Sequence, residues 1–230
     1  MKYIGEELEN FKLATFWRKY TLSFFKQHLK NKKVAEVGSG VGSFSEIAAE
    51  YCSELNLIEP DKEFAEYLKH KFKNNSKINK IVNGTSKDLE NQKFDAILHL
   101  QVLEHIVNDQ KEIDDNLNLL NNKGKLLIIV PAFMSLYSNF DKAIGHVKRY
   151  EKKDFNNFDL KKSKIIKMIY IDSCGYLLYK LFKLIINRDQ PSKWSIIVWD
   201  KIFIPLSKIF DFIFRYKFGK NLIIIIEKND

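Results

Sequence analysis

The residues with the most chemical content stand in Glu36-Val37-Gly38-Ser39-Gly40-Val41-Gly42, between a short apolar run and a helical stretch. Alternate glycines let a backbone turn tightly and approach a ligand with no Cβ in the way. Open α/β sheets bind ligands at such places, beyond the carboxyl ends of their strands. Two details narrow the chemistry. The nicotinamide-dinucleotide fingerprint needs a glycine at position 43, which is Ser43 here. Glu36 would also repel a pyrophosphate, whereas a carboxylate can accept hydrogen bonds from a cationic ligand bearing an α-amino group. The loop therefore favours a sulfonium cofactor of amino-acid type. Glu59, 17 residues beyond Gly42 at the end of a second apolar run, can accept both hydroxyls of a ribose.

Other groups could serve the second reactant. His105 follows the apolar run Phe94–Leu98 and could take a proton from an acceptor, or anchor the first turn of the next helix. Glu104 could orient it or act as a cap. His146 is a second candidate for the proton. Lys148 and Arg149 could grip a carboxylate or phosphate; alternatively Arg149 pairs with Asp141 to close its loop. In Phe16-Trp17-Arg18-Lys19-Tyr20, expected to be a helix over the site, Trp17 and Tyr20 either line the acceptor or are core contacts. There is no HxxxH, no aspartate pair suited to magnesium and no cysteine cluster, so metal-independent chemistry is expected. Cys52 and Cys174, far apart, read as free thiols of a reducing compartment.

The elements that must hold these residues alternate. Lys33–Val37, Leu55–Ile58, Lys80–Val82, Phe94–Leu98 and Lys125–Val130 read as strands, with helices expected over Phe44–Tyr51, Lys62–Phe72 and Asn108–Leu120. Such alternation implies parallel pairing through right-handed crossovers, a doubly wound sheet. Runs such as Leu126–Val130 suit strands covered on both faces. Beyond Pro131 a polar, aromatic loop is expected over 132–150, a short helix over 152–160, and strands at Lys164–Ile171 and Asn221–Glu227. The 48 residues Ser173–Lys220 between the last two are too many for a structureless connection. They read as two or three helices forming a cap, with Pro205 kinking or restarting one of them.

Residues 33–131 taken together resemble the class I S-adenosylmethionine-dependent methyltransferases. Glu36–Gly42 is similar to their first motif and Leu57-Ile58-Glu59-Pro60-Asp61 to their ribose-binding strand end; Gly84-Thr85-Ser86 falls where they contact adenine. Phe94–Ile106 resembles the fourth-strand motif, whose residues past the strand, Leu100 and Gln101 here, line the cofactor. The resemblance implies a seven-stranded, mostly parallel Rossmann-like sheet with the helical cap inserted before the last strand. It also implies S-adenosyl-L-methionine held by Glu36, Gly38, Ser39, Gly40, Gly42, Glu59, Pro60, Thr85, Ser86, Leu100 and Gln101. Pro131-Ala132, Leu136-Tyr137-Ser138, Asp141 and Gly145-His146-Val147-Lys148-Arg149-Tyr150 resemble a subfamily with PA…LY…D…GHxRRY after strand five. That puts Tyr137 and Tyr150 beside Lys148 and Arg149 on the acceptor side, and implies a small-molecule, glycan or lipid-linked acceptor. Lys148 stands where the motif has its first Arg, keeping the charge without the planar fork. The other function class consistent with the sequence is a cofactor-binding or interaction protein that kept this fold without turnover.

A single domain is expected, with a cofactor-binding core at 33–131, acceptor-side elements at 132–172, the cap at 173–220 and the last strand at 221–230. Its charge is uneven. Residues 142–220 hold 18 Lys and Arg against 7 Asp and Glu, a net +11, while residues 1–141 are close to neutral at −1. Such asymmetry suggests an anionic partner for the late segment. Trp194–Phe218, apolar and basic with lysines at helical spacing and interrupted by Asp200 and Asp211, could lie on an anionic membrane, roof an acceptor pocket or form a dimer interface. Nucleic acid is disfavoured, since no Asn-Pro-Pro-Tyr type of motif follows strand four. No secretory signal is read in the first residues and no run is long enough to span a bilayer, so a cytoplasmic enzyme, peripheral at most, is expected.

Overall fold

A computed structural model describes residues 12–89, 92–185 and 192–229. Residues 1–11, on which the absence of a secretory signal is read, lie outside them. Seven strands form one sheet: β1 (Lys33–Val37), β2 (Glu54–Glu59), β3 (Ile78–Asn83), β4 (Phe94–Leu100), β5 (Leu120–Pro131), β6 (Ser163–Ile171) and β7 (Asn221–Lys228). Their order across the sheet is β3-β2-β1-β4-β5-β7-β6. The pairs β1–β2, β2–β3, β1–β4 and β4–β5 are parallel, and β7 runs antiparallel to both β5 and β6. The doubly wound expectation holds, and the strand order reverses between β1 and β4, the crevice where such sheets bind ligands.

The long apolar runs are explained by burial on two faces. Along β7, Ile223 and Ile225 join one core cluster with Val34, Leu55, Leu57 and Leu98, while Leu222, Ile224 and Ile226 join the other with Ala35, Ile58 and Ile97. Successive side chains point to opposite faces, and here both faces are covered by helices. The first face takes α1 (Thr15–Ser23), α2 (Lys26–Leu29), α3 (Ser45–Ala49) and α4 (Lys62–Lys71); the second takes α5 (Asp109–Leu119) and α7 (Lys152–Asn156). The expected loop 132–150 is partly ordered into a 3₁₀ turn, Met134–Leu136, and a short helix α6 (Asn139–Ala143). Ser138 and Asp141 make a capping box there, so the local signal for α6 was present in the sequence.

The cap consists of α8 (Ser173–Ile185), α9 (Lys193–Val198) and α10 (Ile204–Ile213), with a π-helical turn, Trp199–Phe203, joining the last two. Pro205 lies in the first turn of α10, where its missing N–H costs nothing, and the widened turn precedes it. Asp200 and Asp211, expected from the sequence to interrupt this segment, are instead its anchors. Both are fully buried. Asp200 accepts the N–H groups of Phe16 (3.2 Å) and Trp17 (2.8 Å), capping α1, whose own N-cap residue Ala14 has no side chain to do so. Asp211 accepts the N–H groups of Asp172 and Ser173, each at 2.8 Å, and the hydroxyl of Tyr20 at 2.9 Å. Asp172 in turn accepts from Gly175 N, Ser207 Oγ and Trp199 Nε1, each at 2.9 Å. These three carboxylates tie β6, the cap and the N-terminal helix together. Hydrogen bonds to a charged group are worth about 1.5–3 kcal/mol each, and their donors here are buried. Asp211→Ala should therefore lower the unfolding free energy by about 3 kcal/mol or more in urea titration. A loss below 1 kcal/mol would show that the anchor is dispensable.

Candidate active site

The loops beyond β1, β2, β4 and β5 meet at the carboxyl end of the sheet. After β1 the chain passes through Gly38, Gly40 and Gly42 at φ of +71°, +52° and +72°, a conformation that other L-residues adopt at a cost of about 1–2 kcal/mol. The three glycines do different work. A Cβ on Gly38 would lie 2.6 Å from Val102 Cγ2, and one on Gly42 would lie 2.6 Å from the Phe72 ring and 2.7 Å from Leu68. Gly38 thus admits the loop after β4, and Gly42 admits helix α4. A Cβ on Gly40 would meet nothing within 4 Å. All three are expected to open the way to a ligand; at Gly38 and Gly42 the missing Cβ makes room for the protein's own side chains, and at Gly40 it leaves open space.

The loop is held from β2. Gly38 N and Ser39 N both donate to Ile58 O, at 2.8 and 3.1 Å. Glu59 accepts Gly40 N on Oε2 at 2.7 Å and Asp61 N on Oε1 at 2.9 Å. Each of its oxygens keeps a further lone pair, so this carboxylate can fix the loop and still accept a ribose hydroxyl. Glu36 is buried, and its Oε2 has no hydrogen-bond partner. Burial pushes its carboxyl up to about 8, as expected for an acid that lacks donors on one side. An orphaned buried carboxylate oxygen at the start of this glycine loop is what a ligand with an amino group and a cationic centre would satisfy. The remaining cofactor candidates are scattered around this centre. Ser39 is buried, with its hydroxyl donating to Glu36 O at 3.1 Å; Pro60 and Thr85 are exposed, Thr85 N donating to Asp88 Oδ2 at 2.7 Å. Ser86 is buried, which turns it away from solvent. Leu100 is buried and Gln101, at φ +60°, donates its N–H to Ile129 O at 3.0 Å.

On the other side of the β4 loop a second group of side chains gathers. His105, on the 3₁₀ turn Leu103–His105, lies edge-on to His146, with ring centroids 4.7 Å apart. Burial and the neighbouring His146 push the His105 imidazole down to about 4, so it is neutral near pH 7. His146 Nδ1 is 2.7 Å from Asp141 Oδ1, and its Nε2 is 3.8 Å from Glu104 Oε1. Glu104 is fully buried with neither carboxylate oxygen hydrogen-bonded, and burial pushes it up to about 8. The ligand atoms of Glu104, His105 and His146 all lie within 4.8 Å of one another. Sequence spacing hid this set, because 41 positions separate His105 from His146.

Several acceptor-side expectations are corrected. Arg149 is buried, with Nε 2.9 Å and Nη2 3.0 Å from the two oxygens of Asp141 and Nη1 3.4 Å from Ala132 O. Its fork is occupied by the protein, the alternative weighed from the sequence, so it does not grip a substrate anion. Burial opposes the charge on Asp141, but hydrogen bonds from His146 and Arg149 outweigh it and hold the carboxyl well below the usual range. Lys148 is engaged by Asp109 and stacks over Tyr150, 4.7 Å from its centroid. Tyr150 is buried, its hydroxyl within 3.1 Å of Leu103 O and 3.0 Å of Asp109 Oδ2; the Tyr137 hydroxyl donates to His146 O at 2.7 Å. These four side chains are all engaged by the protein's own groups in this loop. Trp17 and Tyr20 are core contacts too. Trp17 packs between Phe44 and Trp199, and the Tyr20 hydroxyl is taken by Asp211. The Asp141 role could have been found from its capping box and its place five residues before His146.

Comparison with known proteins agrees with this geometry. Residues 35–128 match a family model described as a methyltransferase domain. No curated protein sequence matches the chain. Among solved structures, the N-methyltransferase NodS from Bradyrhizobium japonicum WM9, in complex with S-adenosyl-L-homocysteine, is 13% identical. It aligns over 93% of this chain and 85% of its own, with a TM-score of 0.59. Coclaurine N-methyltransferase, bound to N-methylheliamine and S-adenosyl-L-homocysteine, is 11% identical over 91% of this chain and 72% of its own, with a TM-score of 0.60. A chain of the complex between the Haloferax volcanii Trm112 methyltransferase activator and a methyltransferase is 12% identical over 98% and 93%, with a TM-score of 0.64. At these identities the likeness is one of fold. Residues 35–128 thus match a methyltransferase domain, and the chain has the fold of the class I S-adenosylmethionine-dependent methyltransferases.

The glycine geometry separates binding from stability. Gly42→Val should cost about 2–5 kcal/mol in thermal or urea unfolding, through overpacking against Phe72 together with the left-handed backbone. Gly40→Val should cost only about 1–2 kcal/mol, yet abolish calorimetric binding of S-adenosylhomocysteine. Equal stability losses in the two variants would refute the division of labour.

Proposed function

We propose that the chain moves a methyl group from S-adenosylmethionine to a small-molecule, glycan or lipid-linked acceptor that enters beside His105 and His146. The observation that carries the cofactor half is the open face of Gly40 between the orphaned Glu36 oxygen and the Glu59 carboxylate. When bound, the cofactor supplies an activated methyl on a sulfonium, which needs alignment and exclusion of water more than acid–base help. Glu36 would receive the cationic amino-acid end and Glu59 the ribose, with Ser39, Thr85, Leu100 and Gln101 around them. The histidine pair meets the acceptor, and His105, held neutral near pH 7, presents its ring to it without a charge. A small-molecule acceptor accords with the neighbour crystallised with N-methylheliamine. Glu59→Ala should weaken S-adenosylhomocysteine binding by about 1–3 kcal/mol, the worth of hydrogen bonds to a charged group. A calorimetric change of only a few tenths would remove Glu59 from the ribose.

A peripheral membrane setting, at the cytoplasmic face, is part of the same reading. Cys52 and Cys174 are free thiols, and among the described residues no helix is long and apolar enough to cross a membrane. The cap supports it in a way that differs from the sequence expectation. Lys201 bends back to Thr15 Oγ1 (2.9 Å) and over the Phe16 ring, and Lys208 lies over Tyr20. What faces outward is apolar: Trp194 is 75% exposed, Phe212 73% and Ile213 59%. Exposed Lys193, Arg215 and Lys217 flank this surface. Aromatic side chains beside cations suit an anionic lipid interface, where each cation adds about 1 kcal/mol, screened by salt. Flotation with vesicles containing anionic lipid should show binding that falls with salt and is lost in Trp194→Ser/Phe212→Ser. No binding at low salt would refute the membrane setting and leave the cap as a surface for a protein partner.

A further inference from the structure

We propose that Glu104, His105 and His146 form a binding site for one divalent transition-metal ion, such as zinc, manganese or iron(II), on the acceptor side of the cleft. Glu104 carries the argument. It is fully buried, yet neither oxygen has a hydrogen-bond partner. The adjacent cation, Arg149, already has its fork on Asp141. A buried carboxylate with no donors is costly unless a proton or a cation neutralises it, and two imidazoles stand where a cation's other ligands would be.

The geometry is that of a site loosely preformed. The three ligand atoms lie within 4.8 Å of one another, with His146 Nε2 3.8 Å from Glu104 Oε1. At metal–ligand distances of about 2.0–2.2 Å they would close to roughly 3–3.5 Å apart, a change within reach of side-chain rotation. His146 has the outer partner that ligating histidines usually have: its Nδ1 is tied to Asp141 at 2.7 Å, leaving Nε2 for the ion. Two nitrogens and one oxygen select borderline divalent ions over magnesium or calcium, which prefer all-oxygen sets. Three protein ligands also leave coordination positions open, as in sites that bind a reactant. Backbone geometry holds the two halves together, since Val147 N donates to Glu104 O at 2.7 Å.

This inference deepens the acceptor half of the proposed function: it names an ion as the means by which the histidine pair acts. It does not depend on the cofactor half. The test uses the full chain, stripped with a chelator and dialysed. Cobalt(II) is then followed by its visible absorption and zinc by calorimetry, while S-adenosylhomocysteine binding is measured separately on the metal-free protein. The expected result is one ion per chain, with affinity falling at least tenfold in Glu104→Gln and in His105→Gln, and unchanged in His70→Ala, a control on α4. Circular dichroism checks that each variant is folded, and Glu104→Gln preserves the buried shape. Absence of saturable cobalt or zinc binding, or binding of equal strength in both variants, would overturn the site and leave Glu104 neutralised by a proton. Loss of S-adenosylhomocysteine binding in the wild-type chain would instead count against the cofactor reading.

Discussion

Strand β7 enters the sheet antiparallel between β5 and β6, and both the loop after β5 and the cap depend on that pairing. Pro131 at the end of β5 and Ile171 at the end of β6 both face Asn221, the first residue of β7. The loop after β5 and the whole cap therefore start or finish at one point of the sheet. Ala132 N donates to Lys220 O and Lys220 N to Asp172 O, which ties the two further. A cap whose two ends are fixed on adjacent strands needs no linker, and its long chain closes over the sheet at modest entropic cost.

Above this junction the buried charges are arranged in order of need. Asp141 receives His146 and both arms of Arg149, Asp211 receives three donors and Asp172 three more. Glu36 keeps one oxygen without a partner and Glu104 keeps two. Folded proteins rarely leave such atoms unsatisfied, and structural carboxylates here follow that rule. The unsatisfied ones lie beside the glycine loop and beside the histidine pair. Among the buried carboxylates of the described residues, unpartnered oxygens thus fall at Glu36 and Glu104 and not at the anchors of the fold.

How much of this was legible follows from where the information lies. The strands were readable because burial on both faces makes continuous apolar runs, and the cofactor loop because its carboxylate and glycines are close in sequence. Strand β7 was the clearest of all, five successive apolar residues from Leu222 to Ile226. The roles of single residues were not readable where the partner is remote. Whether Arg149 meets a substrate or Asp141 depends on a loop fold that residue types do not encode, and Tyr20 is settled by Asp211, 191 positions away. Asp200 and Asp211 looked like polar interruptions of an amphipathic stretch because a buried anchor and a solvated acid have the same letter. The division among the three glycines was hidden for the same reason: Val102 and Phe72 approach them from other elements.

The cap of helix α1 has a consequence for synthesis. Its first backbone donors are met by Asp200, 183 residues beyond Trp17, and a helix start left without acceptors frays. During synthesis, which runs from the N-terminal side, the start of Thr15–Ser23 lacks its acceptor until Asp200 has emerged. Contacts of such long range are formed late and slowly. The start of α1 is therefore among the last parts of the fold to be fixed, although it precedes every strand in the sequence.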